Sequence, residues 1–91
     1  MIYFITFDLK TQGKDYTALY NEIKSQGEGT YIHPIEPSWF VISSLSVEEL
    51  FSKLRKQMTD SDLLFVVEIT KSNKSQGWLP KTTWEWLERN L

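Results

Sequence analysis

The chain opens on an almost unbroken apolar run, Ile2-Tyr-Phe-Ile-Thr-Phe-Asp-Leu9. Large apolar groups fall on both alternating sets of positions, which predicts a central strand buried on two faces. Thr11-Gln-Gly-Lys14 predicts a loop. Asp15 stands where a helix N-cap belongs, ahead of Tyr16, Leu19, Tyr20 and Ile23 at helical spacing, with Gly27 as the stop. Pro34 and Pro37 around Tyr31-Ile-His33 suit a short edge strand. Trp39-Phe-Val-Ile42 predicts a third strand. Ser46-Val-Glu-Glu49 is a capping box, opening a helix with Val47, Leu50, Phe51, Leu54 and Met58 on one face. Thr59-Asp-Ser-Asp62 predicts a turn, and Leu63-Leu-Phe-Val-Val-Glu-Ile69 a fourth strand.

The order β-α-β-β-α-β, with short loops, predicts an α+β fold. The expected form is a ferredoxin-like sandwich over residues 1–70, an antiparallel sheet with both helices on one face. Residues 71–91 read as a polar loop and a short C-terminal helix. Thr82 and Glu85 have capping-box spacing, which starts that helix near Thr83. Trp84, Leu87 and Leu91 share one side of it; Trp86 lies off that stripe and is the one most free to serve a partner. In the first and fourth strands both faces are apolar, so the uncovered side of the sheet must be hidden. The C-terminal segment and a second copy are both expected to cover it, and a symmetric homodimer follows.

Composition narrows the function. The 91 residues suffice for one small domain, and 41% apolar content is too high for disorder. Ten basic against twelve acidic residues, a net charge of -2, exclude a histone-like nucleic-acid binder but not a local basic patch. The absence of Cys removes disulfides, thiolate metal sites and thiol nucleophiles, and a single His excludes a two-His site. No basic, apolar leader and no 20-residue apolar span is visible, which predicts a cytoplasmic protein without a membrane segment.

Asp8 is the first candidate for chemistry. It closes strand one in Ile5-Thr-Phe-Asp-Leu9, where the expected topology brings the start of strand four, with Asp60 and Asp62, nearby. Such carboxylates, or their copies across a two-fold axis, suit Mg²⁺ or Mn²⁺, and a bound cation generates hydroxide and stabilises a phosphoryl transition state. The alternative is that Asp8 caps a turn and the other two are solvated turn residues.

A strand ending in Phe-Asp-Leu within this element order resembles the small CRISPR-associated adaptation proteins (the second Cas protein) and the virulence-associated protein D toxins. Asp15-Tyr16, Tyr20, Ile23-Lys24-Ser25, Ser38-Trp39, Leu45-Ser46, Glu48-Glu49-Leu50, Arg55 and Gly77-Trp78-Leu79 resemble more closely a compact bacterial and phage group often labelled "SinR family". That resemblance spans essentially the whole chain. It implies a ferredoxin-like homodimer and, for some members, metal-dependent cleavage of RNA or DNA, with the strand-one Asp of each subunit near the metal. Asp8 alone carries over, as catalytic and metal-binding residue. The adaptation proteins carry Arg in the first helix; here that helix has Lys24, and the arginines are Arg55 and Arg89. Weak or absent cleavage is therefore expected.

Other candidates each have two readings. His33 is either a general base or a surface residue. Tyr3, Phe4, Trp39 and Phe40 match the stacking positions of RNA-recognition motifs but lack their basic and Gly neighbours, so packing explains them. Lys53, Arg55 and Lys56, with Lys71, Lys74 and Lys81, form either a nucleic-acid-binding patch or a solvated face. Trp78, Trp84 and Trp86 either bind a protein partner or anchor the tail. Three functions compete: a dimeric domain that binds or weakly cleaves nucleic acid, in phage defence or a toxin system; a non-catalytic dimeric interaction module; and a small-molecule sensor of the ACT type, for which Gly13 is the only signal.

Overall fold

The computed structural model describes residues 1–25, 27 and 29–91. The elements are β1 (Ile2–Asp8), α1 (Thr17–Ile23), β2 (Tyr31–Ile35), β3 (Ser38–Ile42), α2 (Val47–Arg55), β4 (Leu63–Ile69) and α3 (Lys81–Asn90). The four strands form one antiparallel sheet in the order β2-β3-β1-β4, so the fold is α+β.

The alternation in β1 becomes two separate cores. Tyr3, Ile5 and Phe7 point to one side with Trp39 and Val41 of β3, and there they meet Leu19 and Ile23 of α1 and Leu50 and Leu54 of α2. Ile2 points to the other side, where Trp86 and Leu87 of α3 join it, with Phe40, Ile42 and Ile69 packed around them. Helices thus lie on both faces: α1 and α2 on one, the C-terminal α3 on the other.

α2 begins as its sequence dictates. Ser46 Oγ accepts from the Glu49 amide at 3.1 Å, and Glu49 Oε1 accepts from the Ser46 amide at 3.1 Å. Glu48 and Glu49 occupy the first turn, Lys53 and Arg55 the last, matching the helix dipole. The helix ends at Arg55, before Met58, and Phe51 is exposed rather than buried with the rest of the stripe.

Two helix boundaries differ from expectation. α1 closes at Ile23, and Gly27, at φ +99°, lies in the following turn with its amide donating to Lys24 O at 3.0 Å. Asp15 accepts from the Thr17 amide at 2.9 Å, but the N-cap is Tyr16. α3 starts at Lys81 after Pro80, whose φ of −54° leads the chain into the first turn without help from the Thr82 hydroxyl. Among the described residues no helix is long and apolar enough to cross a membrane.

Candidate functional site

β1 and β4 run antiparallel in unbroken register, which sets Asp8 opposite Leu63. Asp8 is exposed and its Oδ2 lies 2.9 Å from Lys10 Nζ. Thr6, Phe7 and Asp8 line a shallow hollow of about 240 Å³ together with Leu63, Leu64 and Phe65. Water and hydrated ions therefore reach the Asp8 oxygens.

Asp60 and Asp62 do not join Asp8. Asp60 pairs with Arg55 at 3.4 Å. Asp62 is buried, and its carboxylate accepts from the Lys10 amide at 2.7 Å, the Thr59 amide at 2.8 Å and the Tyr16 hydroxyl at 2.9 Å. Burial by itself raises this carboxyl, but the Thr59 and Lys10 amides and the Tyr16 and Thr59 side chains outweigh burial and hold it down to about 2. Asp62 thus ties the β1–α1 loop to the turn before β4, helped by the Thr11–Thr59 hydroxyl contact at 2.7 Å. Each of the three carboxylates thus has its own partners, and among the described residues no group of three or more His, Cys, Asp or Glu side chains is placed to hold a metal ion.

His33 stacks on Trp39 with ring centroids 3.9 Å apart. Its Nδ1 faces the Ser38 carbonyl at 2.7 Å and its Nε2 faces the Glu36 carboxylate. Both ring nitrogens thus face protein oxygens, Nδ1 a backbone carbonyl and Nε2 a carboxylate at the surface. Tyr20 and Tyr31 flank the same indole, and Lys24 Nζ lies 5.7 Å from it. The indole N–H of Trp39 is buried without an acceptor among the described residues. Tyr3 is likewise enclosed, its hydroxyl donating to Leu45 O at 2.6 Å. Phe4 and Phe40 pair at 5.2 Å on the α3 side, partly covered. None of these aromatics forms an open stacking platform.

Lys53 and Lys56 are exposed on α2 and at its end. Arg55 is half-buried and engaged with Asp60. Glu49 stands one turn before Lys53, so this face carries mixed charge rather than a basic stripe.

The tryptophans exchange the roles expected of them. Trp86 is 5% exposed and its Nε1 donates to Gly29 O at 3.1 Å. It anchors the tail instead of serving a partner. Trp84 is half-buried, and Trp78 is fully exposed. Beneath the tail lies an apolar cavity of about 260 Å³ between Phe4, Phe40, Val67 and Ile69 of the sheet and Leu79, Trp84 and Leu87 of the tail. Its lining holds no charged residue.

Part of the apolar surface of β4 stays exposed. α3 covers the β2-β3-β1 side of its face and reaches Ile69 of β4, but leaves the first part of β4 open there: Leu63 and Phe65 are each 59% exposed, and Val67, at the cavity under the tail, 37%. On the opposite side of the same strand, Phe51 stands exposed beside Val66 and lines with Val47, Glu48 and Ser52 a groove of about 370 Å³. The alternation 63-65-67 marks one face; only the sheet order shows that it sits at an edge.

In comparisons with known proteins, no protein-family model, no curated protein and no solved structure matches the chain.

Proposed function

We propose that the chain is a dimeric, non-catalytic interaction module on a ferredoxin-like sandwich. The sheet order β2-β3-β1-β4 supports that architecture, because β3 separates β1 from β2 and β1 separates β3 from β4. The observation that carries the function is the strip Leu63, Phe65 and Val67, exposed on a strand at the edge of the sheet. Apolar side chains clustered at a sheet edge mark an association surface rather than a solvated one. Sedimentation from about 1 to 100 µM tests this: a concentration-dependent dimer is expected, and a monomer throughout overturns it.

A second reading, a homodimer that binds or weakly cleaves RNA or DNA with Mg²⁺ or Mn²⁺, is supported by the exposure of Asp8 beside its hollow. Asp8 would be the metal ligand, and Lys53, Arg55 and Lys56 the phosphate contacts. Cleavage, where present, is expected to vanish in EDTA and to fall on the order of 100-fold or more in Asp8→Ala, since metal-ion catalysis supplies several kcal/mol. Asp8 is exposed and its ion pair with Lys10 lies at the surface, so that variant should keep its fold. Absence of cleavage in the wild type with either cation leaves the interaction module alone.

A further inference from the structure

The two edges of the sheet are built differently. β2, at one edge, has five residues, includes Pro34, shifts register between Ile32 and Ile35, and is followed by Pro37. Proline cannot donate to a neighbouring strand, and a bulge turns an edge away from one, so this edge is blunted. β4, at the other edge, runs seven residues in unbroken register with β1. It has no Pro, Gly or Lys, and its one charge is Glu68. A long, regular edge with apolar groups on both faces is a template for another strand.

We propose that the strand it takes is β4 of a second copy, paired antiparallel about a two-fold axis at Val66, so that two sheets join into one of eight strands. This deepens the dimeric reading above by naming the partner and the register. With the axis at Val66 all seven residues pair. On the α3 side Leu63 faces the partner's Ile69 and Phe65 faces the partner's Val67. On the other side Val66 faces its own copy, and Leu64 faces the partner's Glu68. Shifting the axis to Phe65 sets Glu68 against the partner's Asp62, a like-charge pair directly across the ladder. Shifting it to Val67 carries Leu63 past the end of the partner strand. Charge and overlap thus select one register.

The side chains agree with the backbone. Phe51 and the groove beside Val66 lie next to the axis, so the two Phe51 rings close over the junction. At about 200 Å² per large side chain, the exposed parts of Phe51, Leu63, Phe65 and Val67 amount to roughly 390 Å² per copy. That is near half of the ~800 Å² per partner of a standard interface; the strand backbone and groove walls add to it.

The geometry bears on Asp8. Each Asp8 lies on β1, level with Leu63. Three strand spacings of about 4.8 Å across and six residues of about 3.4 Å along separate the two copies by roughly 25 Å. One cation needs its oxygens within about 2.6 Å. An edge dimer therefore keeps the two Asp8 carboxylates from sharing a metal.

The absence of native cysteine makes the register measurable. In Val66→Cys the paired Cα atoms fall at about 4.5–5.5 Å, within disulfide reach. In Val67→Cys they stand roughly 8 Å apart by the same strand dimensions, beyond the limit of about 7 Å. Mild oxidation of each purified variant at about 50 µM is expected to convert V66C to covalent dimer at least tenfold faster than V67C. Phe65→Lys, at a site exposed in the subunit, is expected to weaken the sedimenting dimer at least tenfold with an unchanged circular-dichroism spectrum. A wild-type monomer at 100 µM overturns both this pairing and the dimeric reading. A wild-type dimer that survives Phe65→Lys, with V66C no faster than V67C, overturns the β4 pairing alone.

Discussion

At the scale of single residues, the carboxylates show how burial divides structure from surface chemistry. Asp62 accepts three donors from two loops and titrates at about 2, whereas an unfolded carboxylate titrates near 4. Its folded value is the lower one, so its stabilisation is complete above about pH 4 and is lost as the pH falls toward 2. Asp15, held down by the Thr17 hydroxyl and amide, and Glu49, held down by the Ser46 amide and hydroxyl, act with the same sign. Thermal melts from about pH 6 to pH 2 should show the wild type losing stability through that window. Asp62→Asn is expected to lower Tm at neutral pH by about 5 °C or more, from lost and mispaired hydrogen bonds, and to make the acid slope shallower without abolishing it. An unchanged slope would mean that other carboxylates dominate acid unfolding. The sequence shows Asp60 and Asp62 as equivalent turn residues; the Tyr16 and Lys10 donors that separate them lie 46 and 52 positions away.

Elements obey local rules where their neighbours leave them free to do so. The capping box of α2 is legible from Ser46 and Glu49 because its partners are three residues apart. Ser46→Ala should cost about 1 kcal/mol in urea denaturation. Leu54, with no exposed surface between α2 and the sheet, should cost about 2–5 kcal/mol as Leu54→Ala. Phe51→Ala should change the stability of the dilute, undimerised chain by no more than about 0.5 kcal/mol. A large loss there would place Phe51 in the subunit core. Helical periodicity assigns residues 47, 50, 51, 54 and 58 to one stripe, but it cannot see that β4 is the last strand and that nothing lies beyond it to cover Phe51.

For the molecule as a whole, the decisive contact is the C-terminal helix against the second face of the sheet. Trp86 fills the space over Ile2 and is tied to Gly29 by its indole N–H. Trp86→Ala should cost about 3–5 kcal/mol, while Trp78→Ala should stay within about 0.5 kcal/mol, both read from denaturant midpoints at one protein concentration. Equal effects would contradict this placement of the tail. Because α3 spans only part of its face, the molecule keeps an apolar strip on β4 and a cavity beneath residues 79–91. The surface proposed for association is thus what the ten-residue α3 leaves uncovered.

The sequence by itself determined the strands, the second helix and the antiparallel character of the sheet. These depend on alternation, helical spacing and a three-residue cap, all of them short-range. It also showed that both faces of β1 and β4 are apolar, and hence that something must cover the second face. Tertiary structure decided which residues do so. Trp86 and Leu87 turn inward although Trp86 lies off the apparent stripe, because the docking angle of α3 is set by the shape of the sheet and by Gly29, not by the helix's own hydrophobic pattern. The same long-range packing committed Asp62 to the β1–α1 loop, set His33 against Trp39, and left Leu63, Phe65 and Phe51 exposed. Burial is a property of neighbours, and for these residues the neighbours are far apart in the chain.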